Sequence, residues 1–141
     1  MNSSTLEDIE RLEQIEKLIL ELQTLSDSGA IIVVEGRKDA ESLRFLGIKG
    51  EIRLSSQQPL LEFTELLSKS GKEIVLLTDW DKKGGMAAHK IIQHLLAYGI
   101  MPNTQIRAKI RTLTKKRIKD IESLNNYVNK LRYELHGITG F

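Results

Sequence analysis

With 141 residues and a formal net charge of +2, the chain is sized for one compact domain with a real core. It contains no cysteine, which excludes a disulfide framework, a thiolate metal site and a zinc-ribbon accessory. No apolar run approaches the roughly 20 residues of a membrane span. The first residues are polar and acidic rather than basic then apolar, so the cytosol is the expected compartment and no membrane partner is expected.

Leu6, Ile9, Leu12, Ile15, Leu18 or Ile19, Leu22 and Leu25 recur at helical spacing, predicting an amphipathic helix over about 5–26. Ser4 and Glu7 read as its capping box. The stripe is expected to pack on the domain, with pairing to a second copy as the alternative. Ile31-Ile32-Val33-Val34 is a continuous β-favouring run and predicts a buried parallel strand, ending in Glu35-Gly36 with Asp39 just beyond. A helix over about 38–46, closed by Gly47, and a short strand over 51–54 follow. Ser56 and Pro59 announce a helix to about Ser70, closed by Gly71.

A second apolar strand, 73–78, ends in Asp79-Trp80-Asp81, with Lys82, Lys83, Gly84 and Gly85 next. A helix is predicted from about Gly85 to Tyr98, ended by Gly99. In residues 105–111, Ile106, Ala108 and Ile110 alternate with Arg107, Lys109 and Arg111, predicting a strand with one apolar and one basic face. The last helix, about 123–136, carries Leu124, Tyr127, Val128, Leu131 and Leu135 on one side. Alternating strands and helices imply an α/β fold, a small parallel sheet of about four strands between helices. The expected organisation is an N-terminal helix in 1–28, a core domain in 29–125 and a C-terminal helix in 126–141 packed upon it.

Ligands of parallel sheets bind beyond the carboxyl ends of the strands, which is where Glu35, Asp79 and Asp81 sit. Neighbouring strands lie about 5 Å apart, so these carboxylates are expected to converge. Like charges that close repel unless a cation binds, and an all-oxygen donor set suits a hard ion, Mg²⁺ with Mn²⁺ as substitute. Asp79 and Asp81 are the expected metal ligands. Glu35 is then the proton carrier and, if a second metal lies about 4 Å away, a further ligand. Taken alone, an Asp-x-Asp at a strand exit is an ordinary turn; its pairing with Glu35-Gly36 points to a metal.

Glu35-Gly36 with Asp39, and Asp79-Trp80-Asp81 with Gly84, resemble the Toprim family over about residues 30–125. That domain is shared by type IA and type II topoisomerases, bacterial-type primases, OLD-family nucleases and a ribosomal-RNA maturation nuclease. The resemblance implies a Toprim, Rossmann-like fold and Mg²⁺-dependent processing of nucleic acid. Lys119-Asp120-Ile121-Glu122-Ser123-Leu124 also resembles the tail of small stand-alone archaeal Toprim proteins. A chain of this length has no room for a topoisomerase cleavage domain or for primase template modules. The expected function is therefore phosphodiester cleavage by a nuclease, a hydrolase, or DNA or RNA binding within a larger processing complex. A non-catalytic module that binds nucleic acid and Mg²⁺ is the main alternative. A haloacid-dehalogenase-type phosphatase also uses Asp-x-Asp after a strand, but on its first strand and followed by Thr or Val.

The remaining polar residues divide as follows. Residues 1–28 carry seven acidic against two basic side chains, and 105–133 carry nine basic against two acidic. The basic block, Arg107, Lys109, Arg111, Lys115, Lys116 and Arg117, is a candidate phosphate-backbone surface, or else the counterpart of the acidic helix. Arg37, Lys38, Lys82 and Lys83 flank the acids and are candidate phosphate contacts or structural ion pairs. Asp39 either caps the helix beginning beside it or supports the metal, and Gly36 and Gly84 support the acidic motifs. Trp80 is expected to pack at the sheet edge. His89 and His94 lack the spacing of a ligand pair, and the three tyrosines lack a cleavage-domain context. Protein partners, or a homodimer through the N-terminal helix, are further expectations.

Overall fold

A computed structural model describes residues 3–114 and 116–139. Among the described residues six helices and three strands follow one another: α1 (Ser3–Asp27), β1 (Ile31–Val34), α2 (Arg37–Phe45), β2 (Ile52–Leu54), α3 (Leu60–Lys69), β3 (Ile74–Leu76), α4 (Lys82–Ala97), α5 (Gln105–Thr114) and α6 (Leu124–Thr139). A 3₁₀ turn, Ser55–Gln57, joins β2 to α3. The strands are all parallel in the order β2-β1-β3, with Ile32 opposite both Ile52 and Val75.

Alternation of side chains along the strands separates two apolar layers. Ile32, Val34, Val75 and Leu77 pack with residues of α1, α2, α5 and α6, while Ile31, Val33, Ile74 and Leu76 pack with α3 and α4. Both faces are covered, which is why Ile31–Val34 can be apolar at every position. Leu12, Ile15, Ile19 and Leu22 of α1 are buried in the first layer, so the N-terminal stripe faces this core. Gly47, Gly71 and Gly99 follow helices α2, α3 and α4 with positive φ.

Three expectations from the sequence are corrected. Residues 105–111 form helix α5, not a strand. Ile106, Ile110 and Thr114 are buried at intervals of four, and Ala108, which a strand would bury, is exposed. Gln, Arg, Ala and Lys are good helix formers, and a period of four fits Ile106 and Ile110 as well as a period of two. The expected fourth strand is reduced to Asn103, whose amide donates to the Ile74 carbonyl at 2.7 Å and whose carbonyl accepts from Leu76 at 2.9 Å. Ser4 lies inside α1, which already runs from Ser3, so it does not cap that helix. Helix α4 begins at Lys82, three residues before the expected start, because Asp81 is its N-cap.

Candidate metal and nucleic-acid site

Glu35 leaves the carboxyl end of β1, and Asp79 leaves the neighbouring β3 two residues beyond Leu77, whose amide still bonds to the Val33 carbonyl at 2.8 Å. Adjacent parallel strands thus deliver both carboxyl groups to one place, close enough to share a hydrogen bond. Such a bond needs one proton between two groups that otherwise repel. Oε1 of Glu35 is buried, and no donor among the described residues reaches it. A buried oxygen without a donor is costly unless something electropositive arrives.

The electrostatics follow from this geometry. Burial pushes the Asp79 carboxyl up to about 7, helped by the charges of Asp39 and Glu35 and opposed by the Ile121 amide. Burial also raises Glu35, with the charges of Asp81 and Asp39 adding to it and Lys83 opposing.

Counting oxygens shows which acids can still accept a ligand. Asp79 Oδ1 accepts from the Ile121 amide at 2.9 Å, and Asp81 Oδ1 accepts from the Gly84 amide at 2.7 Å as the N-cap of α4. Each keeps a second oxygen. Asp39 has both engaged, Oδ2 by the Gly36 amide at 3.1 Å and Oδ1 by the Glu122 amide at 3.0 Å. Of the two roles open to Asp39, the structure displays the capping one, at the third position of α2. Among the described residues, no three acidic or histidine side chains close into a ready-made metal cage. Mg²⁺ does not require one, because it takes one or two carboxylates and fills its remaining positions with water and phosphate oxygens. The donor set and the unserved Glu35 oxygen fit such an ion.

Two features hold Asp79 in place that the sequence did not reveal. Arg107 reaches back from α5 and donates from Nε to the Thr78 carbonyl and from Nη2 to the Asp79 carbonyl, both at 2.7 Å. Two of its guanidinium nitrogens are thereby engaged within the protein, and because residues 105–111 are helical the expected basic strand face of Arg107, Lys109 and Arg111 does not form. Arg107 and Arg111 share one side of a helix. Lys109 instead lines a groove with Lys17 and Glu21 of α1, and Lys116 and Arg117 line its continuation beside Glu7 and Glu10. Lys115 lies outside the described residues.

The second feature is the segment between α5 and α6, which straps the site from one side. Trp80 donates from its amide to the Lys119 carbonyl at 3.0 Å and from Nε1 to the Ile118 carbonyl at 2.9 Å. Ile121 and Glu122 donate to Asp79 and Asp39, and Asn125 to the Ser42 hydroxyl at 3.1 Å. Trp80 is packed into the first apolar layer. The stretch from Lys119 to Leu124 singled out in the sequence is this strap.

Gly84 explains the spacing of the second motif. A Cβ there would lie 2.1 Å from the Asp79 carbonyl oxygen, so only glycine lets α4 start against the backbone of Asp79. Gly36 meets nothing closer than 3.9 Å, and Gly85 nothing within 4 Å. Arg37, Lys38, Lys82 and Lys83 are all exposed; Lys38 approaches Glu122 at 3.9 Å.

Comparison with known proteins agrees with this architecture. The family model described as Toprim domain matches residues 30–113. A UPF0292 protein of Methanosarcina acetivorans is 48% identical over 122 residues, covering 86% of this chain and 85% of that protein. A UPF0292 protein of Methanocaldococcus jannaschii is 43% identical over 120 residues, covering 84% of this chain and 90% of its own length. Among solved structures, a putative protein from Aquifex aeolicus superposes with a TM-score of 0.64 at 26% identity, over 75% of this chain and 94% of that one. With both acidic motifs at the ends of adjacent parallel strands and a family match across most of the domain, the chain belongs to the Toprim domain family.

Proposed function

We propose that this protein is a Mg²⁺-dependent nucleic-acid-processing enzyme that cleaves phosphodiesters. Family membership supports metal-dependent work on nucleic acid. The observation that carries the finer reading is the meeting of Glu35 and Asp79, with a buried Glu35 oxygen that no donor reaches. A purely structural pair of acids would be expected to find donors for both groups.

In this reading the second oxygens of Asp79 and Asp81 would hold the ion, that of Asp79 once the proton it shares with Glu35 has left. Bound Mg²⁺ supplies charge neutralisation of the phosphate and of the leaving oxygen. Glu35 takes the proton of the attacking oxygen, a task suited to a carboxyl raised by burial. The amides of Ile121 and Glu122 and the fork of Arg107 keep the acids oriented, and Lys83 adds positive charge beside Glu35.

The test is cleavage of single- and double-stranded DNA and RNA with and without Mg²⁺, for the parent and for Glu35→Gln. The variant is expected to bind as the parent does and to lose cleavage. Asp79→Asn combined with Asp81→Asn is expected to abolish Mg²⁺ binding in calorimetric titration with the fold intact. Cleavage by Glu35→Gln at the parent rate would remove Glu35 as proton carrier. Binding without cleavage by the parent across the whole panel would make the protein a binding module.

A further inference from the structure

A groove of about 600 Å³ is lined by Leu60 at the start of α3 and by Lys82, Lys83, Met86 and Lys90 of α4, with Ile91 buried beneath them. Its Lys82 and Lys83 follow Asp81 directly at the start of α4. One wall is the 3₁₀ turn, whose Ser56 amide donates to the Glu35 carbonyl at 3.1 Å. The other begins at Asp81 and continues along α4.

Stability does not account for this surface. Lys82 and Lys83 occupy the first turn of α4, behind the N-cap Asp81, where no further acidic residue is present and where the helix dipole disfavours cations. Among the described residues none of the three lysines takes part in an ion pair. Met86 stands 56% exposed between them. Lys82, Met86 and Lys90 are spaced by four along one ridge, about 12 Å from end to end.

A small anion has no use for the apolar floor, and an apolar ligand has none for the lysines. Single-stranded nucleic acid presents both surfaces at once, phosphates along one edge and exposed base faces along the other. A duplex hides those faces. We propose that the α3–α4 groove is the track for a single strand of DNA or RNA, its phosphates on Lys82, Lys83 and Lys90 and its bases against Leu60 and Met86, leading away from the scissile position. This rests on the functional reading above and adds to it the strandedness of the substrate and its path.

The test measures fluorescence anisotropy of labelled single strands, DNA and RNA, and of matching duplexes over a salt series, in the Glu35→Gln background. Single strands are expected to bind more tightly than duplex. Lys90→Ala should flatten the log-log salt slope by about 0.7, one phosphate contact. Met86→Asp should weaken single-strand binding about fivefold or more with an unchanged melting temperature. Both variants should keep parent Mg²⁺ affinity, and in the otherwise wild-type chain both should cleave a nitrophenyl phosphodiester too short to reach the groove at the parent rate. Intact strand binding that neither substitution alters would overturn the track alone. Equal or tighter binding of duplex would overturn the single-strand assignment. Failure of the Glu35→Gln protein and the parent alike to bind any nucleic acid would overturn the track together with the proposed function.

Discussion

Gly84 and Gly85 are neighbours in one helix with opposite surroundings. A methyl at 84 collides with the Asp79 backbone, whereas a methyl at 85 meets open space. Gly85→Ala should therefore stabilise the protein by about 0.5–1 kcal/mol, the ordinary gain of helix propensity. Gly84→Ala must push α4 off Asp79, with an expected loss of about 1–3 kcal/mol and Mg²⁺ binding at least tenfold weaker. Thermal melts and Mg²⁺ titrations of the two variants check both signs, and equal behaviour would show that the close approach is not needed.

Asp79 sets the pH response at the same scale. Its folded value of about 7 stands above its ordinary 3.8, so the folded state holds the proton more tightly than the unfolded chain. The associated stability is present in full below the ordinary value and is lost as pH rises through about 7. Metal-free protein should melt at lower temperature at pH 8 than at pH 5, and Asp79→Asn, always neutral, should flatten that dependence. Mg²⁺ should bind more weakly as pH falls below 7, since metal and proton compete for the same carboxyl. A melting temperature that rises from pH 5 to 8 in the metal-free parent would contradict this account.

Among the elements, α5 changes its role most between sequence and structure. Its apolar side enters the core through Ile106 and Ile110, and Arg107 turns from the helix to grip two successive carbonyls at the exit of β3. Charged donors contribute about 1.5–3 kcal/mol per hydrogen bond against their loss. Arg107→Met is expected to destabilise by about 2–4 kcal/mol and to weaken Mg²⁺ binding by releasing Asp79. The salt slope of nucleic-acid binding should stay as in the parent, because the guanidinium is already engaged. A slope flattened by about 0.7–0.9 would show instead that Arg107 contacts phosphate. Lys116 and Arg117 border a groove lined by the acids of α1, which places them with Glu7 and Glu10 and not with the carboxylate site.

Over the whole molecule, the helix ahead of the family-matched region is part of the same core. Ile15, fully buried, belongs to the layer that contains Ile32 and Val34 of the central strand. Ile15→Ala is expected to cost about 2–5 kcal/mol and to lower the single unfolding transition of the entire domain, Mg²⁺ site included. A separate early transition that spared metal binding would show α1 to be an independent unit. An ion pair from Glu16 to Arg132 of α6, 2.6 Å apart, ties the two terminal helices but is exposed and adds little.

Much of this architecture was legible in the chain because it depends on local pattern. Ile31–Val34 and Ile74–Leu76 could only be buried parallel strands, since nothing in them is polar. Glu35, Asp79 and Asp81 had to lie at the strand ends because they follow those runs directly. Helix α1 was readable from seven apolar positions at consistent spacing, Leu6 to Leu25. Other features needed the tertiary structure. The pattern of 105–111 satisfies two periods, and the choice fell to helix because Asn103 alone completes the sheet edge, leaving the following residues to pack against α1. Residues 79 and 107 are distant in sequence, so no local signal could show Arg107 clamping Asp79. The same holds for the strap, whose backbone amides satisfy Asp39 and Asp79 whatever its side chains are. Sequence alone determined that these acids stand at the strand ends, through the strands that carry them; only the packed structure decided which of their oxygens backbone amides occupy.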